Sequence, residues 1–352
     1  MRVSRRRGRL IGYGIAGALI AAISLVTAPA AMAATGIPLL DPPKVIATIP
    51  VGDGPFDIAV NRVSGRGYVA NRDDDTVSVI SLADNRVTTT IPVANFPDHL
   101  ALNPLTGQVY VLASNFTGDR DNSFVQVIDP DENKVTATIP IGYDGRGIAF
   151  NPLNGKIYVP IKSYADPRRR GEVQVIDPGS KAVTSTIPIG FDPEAIAVNA
   201  VTGAVYVADS QADTVQVIGP GSDRVTATVP VGDFPRAITI GTLGRVYVSN
   251  YDGNSVSVID PLTNTVAATI PVGQGPIGAA VDPLGGRLLV ADSGGGEAPG
   301  AHGDTVGLVN LLTNAATYVQ TGDSPHDVDV NPVTGRAYVV NFGAKTVSVV
   351  GK

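Results

Sequence analysis

The chain has 352 residues, with no cysteine and no tryptophan, and carries 26 basic against 32 acidic residues. Without cysteine it can hold no disulfide, no thiolate metal site and no Cys-linked lipid or haem. Its stability must therefore come from a packed core, which a chain of this length can build. The acidic balance disfavours nucleic acid as a main partner, because phosphate backbones are repelled.

The chain starts with a basic cluster (Arg2, Arg5, Arg6, Arg7, Arg9), followed by an apolar run from Leu10 to Val26 and by Ala31-Met32-Ala33, a small-x-small step. This order predicts a signal peptide over residues 1–33, a short N-terminal segment over 34–43 and one domain over 44–352. Retention of the run as an anchor is the alternative, although the run is shorter than the roughly 20 residues a span needs. Ser4-Arg5-Arg6 matches part of a twin-arginine signal, so export by the general or the twin-arginine route is expected, to a secreted or cell-envelope location. Cleavage would remove five arginines and leave 21 basic against 32 acidic residues, a formal charge of −11. No other stretch is long and apolar enough to span a bilayer, so no membrane span is expected after cleavage.

From residue 44 onward one motif recurs. A Tyr-Val step is followed by Thr-Val-x-Val, a tight turn and Val-x-x-x-Ile-Pro-Val-Gly. The proline of the last element falls at Pro50, Pro92, Pro140, Pro188, Pro230 and Pro271, with Gln320 in the seventh copy, at spacings of 41 to 49 residues. Each copy reads as four short strands a–d rich in Val, Ile, Thr and Tyr, separated by turns of Gly, Asn, Asp and Pro. In the first copy these are Phe56–Val60, Gly67–Ala70, Thr76–Ile80 and Val87–Val93. Repeats of about 40–50 residues with four strands each predict a propeller. The fold class expected is all-β: a seven-bladed β-propeller of four-stranded antiparallel blades. Residues 44–51 read as a d strand with no a, b or c before it, and the chain ends on a c strand, Thr346–Val350. The N-terminal strand is therefore expected to close the last blade, which leaves fewer open sheet edges.

Tyr68-Val69-Ala70-Asn71, Tyr247-Val248-Ser249-Asn250 and Tyr338-Val339-Val340-Asn341 resemble the YVTN-type β-propeller repeat, and the resemblance covers residues 44–350. That family includes surface-layer and other secreted propellers, many without known chemistry, so the resemblance implies the fold and export. The Pro325-His326 step and Val330-Asn331-Pro332 are also similar to patterns of streptogramin B lyases. Those are seven-bladed, metal-dependent propeller enzymes, so the resemblance implies a metal-dependent enzyme.

Loop lengths vary at one place only. The a–b, c–d and d–a spacings hold at 7 or 8 residues, whereas b–c is 8 in four blades but 14 at Val111–Val125 and Val159–Val173, and 16 at Val290–Val306. In an antiparallel blade the b–c and d–a connections leave on the same face. Insertions gathered on one face of a repeat fold mark a binding surface. Contact residues expected there are Phe116 and Arg120 in blade 2, Tyr164 and Arg169 in blade 3 and His302 in blade 6.

The same face holds the start of each strand a, which lines the central channel. The first position there reads Phe56, Asp98, Arg146, Glu194, Arg236, Ile277, His326, and the second Asp57, His99, Gly147, Ala195, Ala237, Gly278, Asp327. Arg146, Glu194 and Arg236 are expected to bind ligand, or to pair among themselves as a ring of charges. His99 and His326 are candidate acid–base residues, with Asp57 and Asp327 as candidate ligands of a divalent metal. The alternative is that these Asp and His residues bond turn backbone. No HExxH, nucleophile elbow or phosphate loop is present.

Two functions follow. The first is an exported recognition propeller, expected as a monomer without cofactor, binding a protein, peptide or glycan on the long-loop face. The alternative is a metal-assisted lyase or hydrolase with its site at the channel mouth.

Overall fold

The computed structural model describes residues 42–115, 122–142, 144–162, 170–294 and 303–352. Among these residues, strands form seven separate four-stranded antiparallel sheets, and the one helical element is a short 3-10 turn at Thr242–Gly244. In blade 1 the strands a to d are Pro55–Asn61, Arg66–Asn71, Thr76–Ser81 and Arg86–Pro92, paired in that order. Blades 2 to 6 repeat this order. The inner strands pack side by side around a central channel. The fold is thus the seven-bladed propeller that the repeat spacing predicts.

Blade 7 has the expected closure. Its strands Pro325–Asn331, Arg336–Asn341 and Thr346–Gly351 are completed by Lys44–Pro50 as the outermost strand. Val45 lies opposite Val350, Ala47 opposite Val349 and Ile49 opposite Val347.

Seven apolar clusters hold the blades together, one at each blade–blade interface. Between blades 1 and 2, for example, Tyr68, Val77, Val79 and Ile91 pack against Leu100, Val109, Val111 and Ile128. Strand alternation explains this: every second side chain of a strand faces the next sheet. The tyrosines Tyr68, Tyr110, Tyr206 and Tyr338 are among the largest fully buried side chains. At the closing interface Ile49, from the N-terminal strand, joins Tyr338 and Val347 against Ile58, Val69 and Ile80.

Two parts of the repeat, far apart in each copy, meet at one contact. In blades 1, 5 and 7 the Asn that ends strand b donates its amide to two hydroxyls on strand c: Asn71 to Thr76 and Ser78, Asn250 to Ser255 and Ser257, Asn341 to Thr346 and Ser348. Against its other side lies the Gly two residues after the end of the preceding d strand. A Cβ at Gly52, Gly232 or Gly322 would sit 2.7–2.8 Å from the amide carbon of that Asn. Glycine is required there by this close approach. Blades 2, 3, 4 and 6 have Ala113, Ile161, Asp209 and Asp292 at the Asn position, and blade 6 also has Gly307 in place of the second hydroxyl. Asp292 is fully buried and, among the described residues, neither carboxylate oxygen has a hydrogen-bond partner. Burial pushes its pKa up to about 8.

Six of the seven a–b turns are built alike, blade 5 using the 3-10 turn Thr242–Gly244 instead. In the six, the Asn or Asp at the end of strand a accepts the N–H of the residue two positions on, as Asn61 does from Val63, Asn103 from Leu105 and Asn331 from Val333. The tip residue is thereby held outward. The seven tips are Val63, Leu105, Leu153, Val201, Leu243, Leu284 and Val333, one per blade, exposed from 60% at Leu153 to 95% at Leu243.

Two outcomes are expected. A chain lacking residues 1–50 loses an entire sheet edge and Ile49. It should lose cooperative thermal unfolding, whereas Ile49→Ala should cost about 2–4 kcal/mol in denaturant unfolding. For Asp292 the folded-state pKa lies above its ordinary value of 3.8, so its contribution to folding is most favourable below that value and is lost as pH rises through about 8. Asp292→Asn, which restores the residue of blades 1, 5 and 7, should therefore stabilise the protein by roughly 1–3 kcal/mol near neutral pH and by more above about pH 8. It should change little below about pH 4, as read from denaturant melts across pH.

Candidate functional site

The channel mouth is built from the junction of each d–a connection with strand a. In six blades the a–b ladder slips by one residue there, between Pro55 and Asp57, Pro97 and His99, Pro193 and Ala195, Pro235 and Ala237, Pro276 and Gly278, and Pro325 and Asp327. The extra residue in each slip is Phe56, Asp98, Glu194, Arg236, Ile277 or His326. A bulge of this kind re-aims its side chain and frees it from the in–out alternation of the strand. Blade 3 reaches the same place differently. Its strand a is only Ala149–Asn151, with Gly145 bridging to Ile161 ahead of it.

These residues line a funnel of about 530 Å³ that narrows to an inner chamber of about 150 Å³. All seven residues of the first column predicted from the sequence border the funnel or the chamber, and Asp57, His99 and Asp327 border the chamber.

One arc, from blades 7, 1 and 2, is acidic and aromatic. Asp57 accepts the N–H of Leu100 at 3.1 Å and meets His99 Nδ1 at 3.2 Å. Asp327 accepts the N–H of Ile58 at 3.3 Å, and Asp329 that of Val60 at 2.7 Å. Each carboxylate thus satisfies an N–H on the free edge of the next blade's inner strand, where no ladder partner exists. Burial, reinforced by Asp57, holds the Asp327 carboxyl well above the usual range, and burial pushes Asp329 up to about 7.

His326 is more constrained. Its Nδ1 lies 2.9 Å from the carbonyl oxygen of Phe56. A carbonyl can only accept, so Nδ1 carries the proton and Nε2 keeps a lone pair. Its ring lies 3.8 Å from that of Phe56. The ring is half-buried at the channel mouth, and this burial lowers its pKa to about 3. Phe56 is the hub of the arc: His99 meets it edge-on at 5.6 Å, and the Arg72 guanidinium lies 5.2 Å from its centroid while bonding Asp98 at 3.0 Å.

The opposite arc, from blades 3 to 6, presents small side chains inside (Gly147, Ala195, Ala237, Gly278) and charges above. The charged residues Arg146, Glu194 and Arg236 each have a partner outside that trio. Arg146 bonds Asp144 at 2.9 Å, Glu194 meets Lys162 at 3.5 Å, and Arg236 lies 5.3 Å from the Tyr251 ring. Lys162 also pairs with Asp192. Among the described residues, no carboxylate lies within ion-pair distance of Arg236.

Sequence reading by strand a alone misses Arg72, Lys162, Tyr251 and Phe342. All four follow the last residue of strand b, in a column that also holds Ser114, Ser210 and Ser293 and varies as freely as the two columns described above. Phe116, Arg120, Tyr164, Arg169 and His302 lie outside the described residues. In blade 2 part of the length difference is regular hairpin, with strands b and c paired out to Asn115 opposite Asn122. Among the described residues no three His, Asp or Glu converge as a cation-binding group, and no helix is long and apolar enough to cross a membrane. Asp57 and Asp327 spend at least one oxygen each on backbone N–H groups of the neighbouring inner strands.

The class of protein defined by these features is a seven-bladed β-propeller with a polar, aromatic-rimmed channel mouth. No protein-family model and no curated protein matches the chain. Among solved structures it is similar to hydrazine synthase of Kuenenia stuttgartiensis, with a TM-score of 0.70 and 18% identity, covering 85% of this chain and 96% of that one. A likeness at this identity shows the fold.

The tautomer of His326 is directly measurable. Nitrogen-15 NMR of its ring should show the Nδ1–H form and no titration above about pH 5. An Nε2–H ring, or one that titrates near its ordinary value, would contradict the Phe56 bond.

Proposed function

We propose that the chain is an exported propeller of the YVTN type that recognises its ligand at the channel mouth, on the face that also carries the long b–c connections. The observation that carries this reading is the set of bulges. In six blades the strand geometry is broken at the position that aims a side chain into the mouth, and those six side chains all differ. A fold-stabilising role would favour the same residue in each copy, as at the buried strand b valine, which is Val69, Val111, Val159, Val207, Val248, Val290 and Val339 in the seven blades. The chemistry suits a protein, peptide or glycan. Phe56, Phe342 and Tyr251 offer stacking faces, and Arg236 and the Asp98, Asp144 and Glu194 pairs offer hydrogen bonds. Phe116, Arg120, Tyr164, Arg169 and His302 extend the same surface in this reading, and the signal over residues 1–33 delivers the domain outside the cytoplasm.

The test is an array of immobilised glycans and peptides probed with labelled protein and with the double variant Phe56→Ala/Arg236→Ala. Binding should fall by about tenfold or more for the ligands recognised by the unaltered chain, with melting temperature preserved to within a few degrees. Equal binding by both would place recognition elsewhere.

A second reading is favoured by one contact. The Asp57–His99 pair leaves His99 Nε2 free, which is the arrangement of an oriented general base. Such a site would act in a metal-assisted lyase or hydrolase, with Asp57 and Asp327 near the ion. At a hundredfold excess over its Kd, a bound ion would raise stability by about 2.7 kcal/mol. Unchanged melting on adding Mg²⁺, Ca²⁺ or Zn²⁺, together with metal-free purified protein, would sink this second reading.

A further inference from the structure

The face opposite the channel mouth carries its own pattern. All a–b turns leave on that face, because each inner strand runs from the mouth to its a–b turn. The seven aliphatic tips therefore stand as a ring around the far end of the channel, six of them fixed outward by the Asn or Asp that holds the tip N–H and Leu243 carried on the 3-10 turn of blade 5. Such a ring is unusual for a water-exposed surface, where apolar side chains are scattered singly.

Charge accompanies the tips. The seven a–b turns contain the cations Arg62, Arg66, Lys156, Arg245, Arg287 and Arg336, and a single carboxylate, Asp282, which is buried and bonded to Arg287 at 2.8 Å. The c–d turns outside them carry both signs, but in blades 5 and 6 they add two more exposed leucines, Leu262 at 89% and Leu312 at 92%. Together with Leu243 these two border a surface cleft next to Arg245, and Leu284 of the blade 6 turn stands on the same side.

We propose that this face docks peripherally on a bilayer containing anionic lipid, with the tips entering the headgroup–acyl boundary and the turn cations meeting lipid phosphates. Aliphatic tips backed by Lys and Arg on a rigid face are the pattern of interfacial membrane binding. Blades 5 and 6, with the densest leucines, enter deepest. Charge complementarity selects the lipid over a second copy, because two such faces in contact would set like charges against each other.

The absence of tryptophan makes the test clean. Two single reporters, Leu262→Trp on this face and Phe191→Trp on the mouth face, are mixed with vesicles of phosphatidylcholine and phosphatidylglycerol in equal parts, and with vesicles of phosphatidylcholine alone. The emission of Leu262→Trp should shift to the blue on the mixed vesicles, and that of Phe191→Trp should not. A quadruple variant, Leu243→Ser/Leu262→Ser/Leu284→Ser/Leu312→Ser, should bind the mixed vesicles at least about tenfold more weakly in sedimentation. These four side chains are exposed, so its melting should be unchanged. All variants keep the same N-terminal 43 residues, so the difference reports the ring and not the apolar run over residues 10–26. The proposal is overturned by equal binding of the quadruple variant, by equal binding to neutral vesicles, or by a blue shift that follows protein concentration without lipid, which would identify a second copy as the occupant.

Discussion

Apolar packing between neighbouring sheets is the constraint on which everything else rests. A single four-stranded blade leaves both faces open, and no blade carries a covalent staple. Each face is buried only by the next blade, and the seven apolar clusters sit where these faces meet. This arrangement has no natural end, so the ring must close on itself. Lys44–Pro50 closes it by completing the last sheet, and Ile49 completes the last cluster. The hydrophobic effect thus acts around the circle, while in blades 1, 5 and 7 the Asn amide bonded to the strand c hydroxyls fixes how the sheet meets its own preceding connection.

The circle also explains the chemistry of the channel. Inner strands have a free edge, and edge N–H groups need acceptors. In one arc Asp57, Asp327 and Asp329 supply them from the neighbouring blade. The cost is a set of carboxyls crowded into a confined space, with Asp327 and Asp329 pushed toward the neutral form. Across the channel the equivalent residues Gly147, Ala195 and Ala237 have no side-chain acceptor to offer. The same feature, a sheet edge facing inward, thus meets a crowded acidic arc on one side and small side chains on the other.

Much of this was legible in the sequence. The interval between Pro50, Pro92 and their successors gives seven blades, and the orphan strands at the two ends give the closure, because both follow from strand alternation and turn chemistry. The channel-mouth columns could be read from the same alignment. Other features were not legible. The slip at Phe56 or His326 is a matter of register, and register depends on the partner strand. The contact of Gly52 with Asn71 joins two conserved-looking motifs through space. Arg72 and Lys162 reach the mouth from strand b, and their variability was the signal that could have placed them there. The pairing of Arg146, Glu194 and Arg236 with Asp144, Lys162 and Tyr251 depends on side-chain reach, which spacing does not encode.

The bulge ahead of each inner strand uncouples two demands that a regular strand would join. The residue it carries takes no part in the apolar clusters, so exchanging Phe56, Ile277 or His326 for another residue leaves the blade-to-blade packing intact. A scaffold of this kind can be re-specified one spoke at a time, with new chemistry tried at the hub while the frame keeps its shape.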